Sequence, residues 1–172
     1  MKTLFLSCWL SLLGCREPPT STADLSIAPT EYLVLAQKAL TCQADFDTLT
    51  WAGLLADRVE YQLAGQPAGW RGKAAVLVGW KHWQHRAGIQ TIRLSGLTHL
   101  PVQTLHPLPL MGRAGVYVVS YCQAHVRYAD GHQTSRPIHL CYHFDADKRI
   151  DAGWLFMPDP AQDTLLLPIN NP

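Results

Sequence analysis

The chain has 172 residues, with 48% hydrophobic and 16% charged residues and a formal net charge of +1. That balance excludes an intrinsically disordered chain and gives no basic footprint for nucleic acid. The length suits one domain with a real core.

The N-terminus reads as an export signal. Lys2 is followed by an apolar run from Leu4 to Leu13, which closes as Leu12-Leu13-Gly14-Cys15. A basic start, about ten apolar residues and a small residue before the cut describe a secretory signal. A spanning helix needs about 20 apolar residues. The ending LLGC resembles the lipobox of bacterial lipoproteins, in which the peptidase cuts before the cysteine and the thiol carries a diacylglycerol. The resemblance implies a signal peptide over residues 1–14, lipidation of Cys15, and an exported protein anchored to a membrane, facing the periplasm or the cell surface. Residues 15–29 then hold the lipidated cysteine and a tether rich in Pro, Ser and Thr.

The folded domain is expected over residues 30–158. Thr30 is placed as an N-cap, and Tyr32, Leu33, Ala36 and Leu40 approximate an apolar stripe of a first helix. Asp45-Phe46-Asp47 opens a second helix running to about Ala56, with Trp51 and Leu55 on one face. Val59 to Leu63 alternates and reads as a short strand. A Gly-rich turn follows, and Gly72 to Arg86 reads as a third helix with Val76, Trp80 and Trp83 at helical spacing. The period then changes to two. Gln90 to Leu97 reads as a strand, and the proline-bearing stretch from His99 to Gly115 is expected to be broken or at an edge. Val116 to Tyr128 and His132 to Phe144 form a hairpin around Asp130-Gly131. Ile150 to Met157 forms the last strand, and residues 159–172 read as an irregular tail. Helices segregated onto one face of an antiparallel sheet make an α+β fold.

The order of these elements resembles the nuclear transport factor 2-like superfamily, in particular its SnoaL-like members. The resemblance rests on Asp45-Phe46-Asp47, the strand beginning Val59-Glu60-Tyr61, Gly72-Lys73-Ala74-Ala75-Val76 with Trp80 further along, and the hairpin from Pro137 to Phe156. It implies a cone, or cystatin-like roll: a curved antiparallel sheet wrapped around three N-terminal helices and enclosing an apolar pocket. Members include isomerases, cyclases, dehydratases and noncatalytic binders, so the fold alone does not give function.

If Asp130-Gly131 is a two-residue loop, Cys122 faces His139 and Ser120 faces Cys141. A second turn pairing Ala146 with Arg149 sets Cys141 opposite Trp154. One sheet face then carries Val118, Ser120, Cys122, His139, Cys141, His143, Trp154 and Phe156. The other carries Val119, Tyr121, Gln123, His125, Ile138, Leu140, Tyr142, Phe144 and Leu155. Cys122 and Cys141 come out on one face, diagonal at roughly 7–8 Å, too far for the ~3.8 Å between bonded side-chain origins. They are expected to be unbonded.

The resemblance places Trp80 in the pocket. Tyr61, Tyr121, Tyr142, Trp51 and Trp154 join it as candidate ligand-binding residues, rings against an apolar wall with hydroxyls and an indole to offer. Candidate acid–base residues are His139, His125 and Asp57. By the resemblance, either His139 or Leu140 stands where the ketosteroid isomerase branch has a proton-donating acid. That branch also needs a carboxylate base on the first short strand and a tyrosine on helix one. Here those positions fall at about Tyr61 or Gln62 and about Gln37, which supply neither. No cofactor is implied. Metal is rejected: His82 and His85 have no accompanying Cys or carboxylate at ligand spacing, and His139 and His143 stand about 13 Å apart along a strand.

The expected role is a lipid-anchored protein whose aromatic pocket holds a small hydrophobic or amphipathic ligand, with a homodimer formed through the sheet. One alternative is a cofactor-independent isomerase, dehydratase or hydrolase using His or Asp. The other is an interaction module using the outer sheet face. An enzyme predicts an acid–base pair inside the cone. A binder predicts an open, chemically bland pocket. An interaction module predicts a closed pocket and a large apolar outer face.

Overall fold

Ten elements follow in order in the computed structural model, which describes residues 25–63, 68–109 and 111–156. They are β1 (Leu25–Ile27), α1 (Glu31–Ala44), α2 (Thr48–Leu54), β2 (Leu55–Leu63), β3 (Trp70–Arg71), α3 (Lys73–Arg86), β4 (Ile89–Thr104), β5 (Gly115–Tyr128), β6 (Gln133–Phe144) and β7 (Ile150–Phe156). The signal peptide, Cys15 and the C-terminal tail from 159 lie outside the described residues.

The helix boundaries follow the sequence closely. Thr30 precedes α1, although its side chain makes no capping bond. Asp47 caps α2 by accepting the Thr50 backbone N–H at 3.0 Å, the ordinary use of an aspartate at that position. α2 stops at Leu54, not Ala56, because Leu55 already pairs with Ile150 in the sheet.

All seven strands join one sheet in the order β1-β4-β5-β6-β7-β2-β3. β2 pairs with β7 in parallel and every other pair is antiparallel, so the sheet is mixed rather than purely antiparallel. Two departures extend it. Leu25–Ile27, expected in the tether, forms an edge strand against Val102 to Thr104. β4 shifts register between Ser95 and Thr98 but continues through Pro101, which pairs with Val118, and ends at Thr104. The Pro101 carbonyl accepts from Ala28 N–H at 3.2 Å. In an antiparallel strand a residue's N–H and C=O point the same way. The missing N–H therefore faces the short β1 edge and costs β5 nothing.

The β5–β6 register corrects the expected one. The turn uses three residues, Ala129-Asp130-Gly131. Tyr128 N–H bonds His132 O at 3.0 Å, and Gly131 N–H bonds Tyr128 O at 3.0 Å. Gly131 takes φ +90°, the left-handed conformation that closes a three-residue hairpin. The added loop residue slides the ladder by one, so Cys122 faces Ile138 and Ser120 faces Leu140. Every β5 side chain then shares a face with the opposite set on β6. β6 against β7 keeps the expected pairing from His139↔Phe156 to His143↔Ala152, then shifts at a bulge.

The concave face therefore carries Val116, Val118, Ser120, Cys122, Ala124 and Val126, with Ile138, Leu140, Tyr142 and Phe144 beside them. Ala36, Ala39 and Leu40 of α1, Trp51 of α2, and Val76 and Trp80 of α3 are buried in the same core. Cys42, Cys122 and Cys141 are all buried and unbonded. The last two lie on opposite faces, so the register separates them more firmly than the expected diagonal.

Candidate functional site

The interior of the cone is built from aromatic rings. Trp51 meets Tyr61 edge-to-face at 5.7 Å and Trp80 at 5.8 Å. Trp80 leans on Trp83 at 4.7 Å, and Tyr61 stacks on Trp70 at 6.2 Å. Gly153 of β7 makes this possible: a Cβ there would stand 2.5 Å from the Tyr61 ring.

Three polar side chains lie inside this shell and satisfy one another. Gln43 Nε2 donates to the Tyr61 hydroxyl at 2.7 Å, and the Tyr142 hydroxyl donates to Gln43 Oε1. An amide N–H₂ can only donate and an amide oxygen can only accept. Tyr142 therefore spends its hydrogen on Gln43, while the Tyr61 oxygen accepts from the same amide. Burial pushes both phenols above their ordinary pKa, strongly enough to outweigh the lowering effect of Gln43 and Tyr142 on Tyr61. Trp80 Nε1–H donates to the Gln43 backbone carbonyl at 3.2 Å, while Trp51 Nε1 is buried without a partner among the described residues.

Beside this polar cluster, the mouth between α1, α3 and the sheet opens on a cavity of about 40 Å³. Leu40, Trp80, Trp83, Ile92, Leu94 and Ile138 form much of its wall, and Gln43 is its one polar residue. Drug-sized ligand sites are commonly about 300–1,000 Å³, so this mouth admits only a narrow apolar group unless half-buried Trp83 moves.

The candidate residues divide. Trp51, Tyr61, Trp80 and Tyr142 are buried inside the cone, but of these only Trp80 borders the cavity. Tyr121 and Trp154, placed in the pocket by expectation, lie on the outer face: Tyr121 is 47% exposed beside His139, and Trp154 is half-buried beside Tyr117. His139 is exposed on that same face, between Tyr121 and Phe156 at 5.7 and 4.7 Å. His125 is exposed and bonded to two serines, and Asp57 is exposed and paired with Lys73 at 2.8 Å. No hydrogen bond joins any two of these three, and no described carboxylate is buried.

Sequence reasoning missed Gln43, which the helix period could have found: Ala36, Leu40 and Gln43 are spaced i, i+4, i+7, one buried stripe. It also missed two long-range clusters. On the concave face His99 Nδ1 meets the Ser120 hydroxyl at 2.8 Å, with burial lowering the pKa of the ring. On the outer face buried His143 contacts Asp151 Oδ1 at 2.5 Å through Nδ1 and the Ala114 carbonyl at 3.1 Å through Nε2. Both nitrogens face acceptors, an arrangement that an imidazolium satisfies. Arg113 bridges Asp151 at 2.7 Å and Glu60 at 3.2 Å. Burial raises the Asp151 pKa, but the His143 bond and charge and the Arg113 guanidinium outweigh it and hold the carboxyl below its ordinary range. No three His, Cys, Asp or Glu side chains converge as metal ligands among the described residues.

No family profile matches the chain, and no curated protein matches its sequence. Solved structures do match. A proposed polyketide cyclase of Xanthomonas campestris aligns with TM-score 0.60 at 15% identity, covering 78% of this chain and 94% of that one. A proposed SnoaL-like polyketide cyclase of Shewanella denitrificans gives 0.59 at 13%, covering 80% and 98%. An LEH-like epoxide hydrolase of Mycobacterium tuberculosis gives 0.53 at 16%, covering 74% and 83%. These likenesses, with three helices against one curved, mixed seven-stranded sheet in this chain, identify the nuclear transport factor 2-like, SnoaL-type α+β fold.

Proposed function

We propose that the domain holds the narrow apolar end of a small hydrophobic or amphipathic ligand at the mouth between α1 and α3, without reacting with it. The observation that carries this reading is the chemistry of the wall: apolar side chains around Gln43, whose side-chain amide is already engaged by Tyr61 and Tyr142. A slim apolar group fits such a wall and would displace no protein hydrogen bond. The acid–base alternative lacks support, since His125, His139 and Asp57 are exposed and mutually unbonded. Native mass spectrometry of the protein purified from its own host tests the reading. A one-to-one adduct lost on Trp80→Ala or Trp83→Ala supports it. No adduct, together with no tryptophan fluorescence change on adding medium-chain fatty acids, refutes it.

The outer face favours a second reading, association through the sheet. Ile27, Leu100, Tyr121 and Phe156 are 85%, 51%, 47% and 41% exposed across β1, β4, β5 and β7, with Val119 and Trp154 half-buried among them. An apolar face of this kind is usual for a partner surface, and a second copy of the chain is the partner proposed. Light scattering should give a dimer that Tyr121→Lys converts to monomer.

The address belongs to the same proposal. The Lys2 start, the apolar run and Leu12-Leu13-Gly14-Cys15 support export and lipid anchoring through Cys15. Metabolic labelling with a radioactive fatty acid should mark the wild type and leave Cys15→Ala unlabelled.

A further inference from the structure

We propose that the outer sheet face, at its β5–β6 hairpin end, carries a binding site for a phosphate-bearing anion, held by Arg93 and Arg127 with His125 between them. The ladder fixes the arrangement. Arg93 pairs with His125 and His125 with Ser135; one row further, Thr91 pairs with Arg127 and Arg127 with Gln133. Side chains two residues apart share a face. These six therefore form a grid of two rows on three neighbouring strands. Thr91, Arg93, His125, Arg127 and Gln133 line a groove of about 210 Å³, and no carboxylate borders it.

Arg93 and Arg127 line this groove together. Lys73, Lys148, Arg71 and Arg113 each have a carboxylate partner. Arg93 and Arg127 have no hydrogen bond or ion pair among the described residues, and they sit diagonally across one ladder. Like charges so placed repel each other. An anion between them reverses the sign of that interaction. A guanidinium fork can offer a parallel pair of N–H donors, and two such forks suit a tetrahedral oxyanion with several acceptor oxygens. Thr91 and Gln133 add neutral donors at the rim.

His125 is held ready for this use. Ser95 Oγ lies 2.8 Å from its Nε2 and Ser135 Oγ 3.1 Å from its Nδ1, while Gln123 Nε2 donates to Ser135 Oγ at 2.9 Å. A serine hydroxyl can donate or accept. Either tautomer of the ring therefore keeps both contacts. With both nitrogens occupied, it supplies a fixed wall rather than a hydrogen bond to the ligand. The groove is independent of the apolar mouth, so the two proposals stand or fall separately.

The phosphate can be free or part of a lipid headgroup, and two arms of one experiment separate these sources. The full chain carrying Cys15→Ser removes any covalent lipid. Inorganic phosphate is titrated by calorimetry. Vesicles of phosphatidylcholine with and without phosphatidylglycerol are tested by co-sedimentation. Arg93→Gln/Arg127→Gln is compared with Arg86→Gln/Arg149→Gln, which removes the same charge elsewhere. Phosphate binding weakened about tenfold or more in the first pair alone supports a free-anion site. Retention on phosphatidylglycerol vesicles, lost in the first pair alone, supports a headgroup site. No binding to either probe at about 10 mM phosphate or on anionic vesicles, or equal weakening by both pairs, overturns the proposal.

Discussion

The two buried hydrogen bonds that link Tyr61 and Tyr142 through Gln43 predict stability changes that do not add. All three residues are at most 3% exposed, so no water replaces a lost partner. Tyr142→Phe removes the donor to Gln43 Oε1 and leaves that oxygen unpaired, for about 1–3 kcal/mol. Gln43→Leu leaves the Tyr142 hydrogen and the Tyr61 oxygen without their partner, for about 2–6 kcal/mol. Tyr61→Phe leaves the amide N–H₂ without its acceptor, for about 1–3 kcal/mol. The single changes therefore sum to roughly 4–12 kcal/mol. The triple change Gln43→Leu/Tyr61→Phe/Tyr142→Phe removes every polar atom of the cluster. Replacing both partners of a buried bond by apolar groups of similar shape is nearly neutral, so the triple variant should lose about 2 kcal/mol or less. Urea unfolding followed by tryptophan fluorescence measures each value. A triple variant destabilised by the full sum of the singles would show that the three groups do not act as one linked unit.

Other outcomes follow from the same structure. Gly153→Ala should cost about 3 kcal/mol or more, because its Cβ would meet the Tyr61 ring at 2.5 Å against a β-strand backbone that cannot retreat; differential scanning calorimetry would show it. Asp151→Asn should cost about 2–3 kcal/mol at pH 7 by weakening its charged bonds to His143 and Arg113. The folded Asp151 pKa is depressed, so its stabilisation is present above the unfolded value of 3.8 and is lost as pH falls through the folded value. Acid unfolding below about pH 4 should therefore be shallower in the variant. At alkaline pH the sign is opposite. Burial pushes Cys141 and Tyr117 up to about 12 and raises Tyr61 and Tyr142 as well. The unfolded chain releases these protons first, from the ordinary values of 9.0 and 10.0. Stability should hold below pH 9 and fall progressively above it; a flat urea midpoint to pH 11 would contradict this.

Much of the fold was legible because its signals are local. The 3.6-residue stripes gave α1 and α3, the two-residue alternation gave β5 and β6, and Asp47 marked the start of α2. Gln43 was legible too, once the stripe of Ala36 and Leu40 is carried one turn further. The hairpin was harder. Asp130-Gly131 announces a turn, but a two-residue and a three-residue loop share that signal, and the choice decides which face every β5 side chain joins. That one residue moved Tyr121 out of the expected pocket, separated Cys122 from Cys141, and left Tyr142 among the interior groups.

Sequence by itself determined which segments form helices and strands, because capping, period and turn chemistry act over a few residues. It also determined that the interior would be aromatic. The tertiary structure alone decided how those segments meet. The parallel pairing of β2 with β7 brings Tyr61 over Gly153, residues 92 positions apart in the chain. His143, Asp151 and Arg113 meet across a bulge and a loop, and Arg93 and Arg127 become neighbours only through the β4–β5 register. Contacts of this kind depend on register and sheet order, and those are settled by the packing of the whole core rather than by any local run of residues.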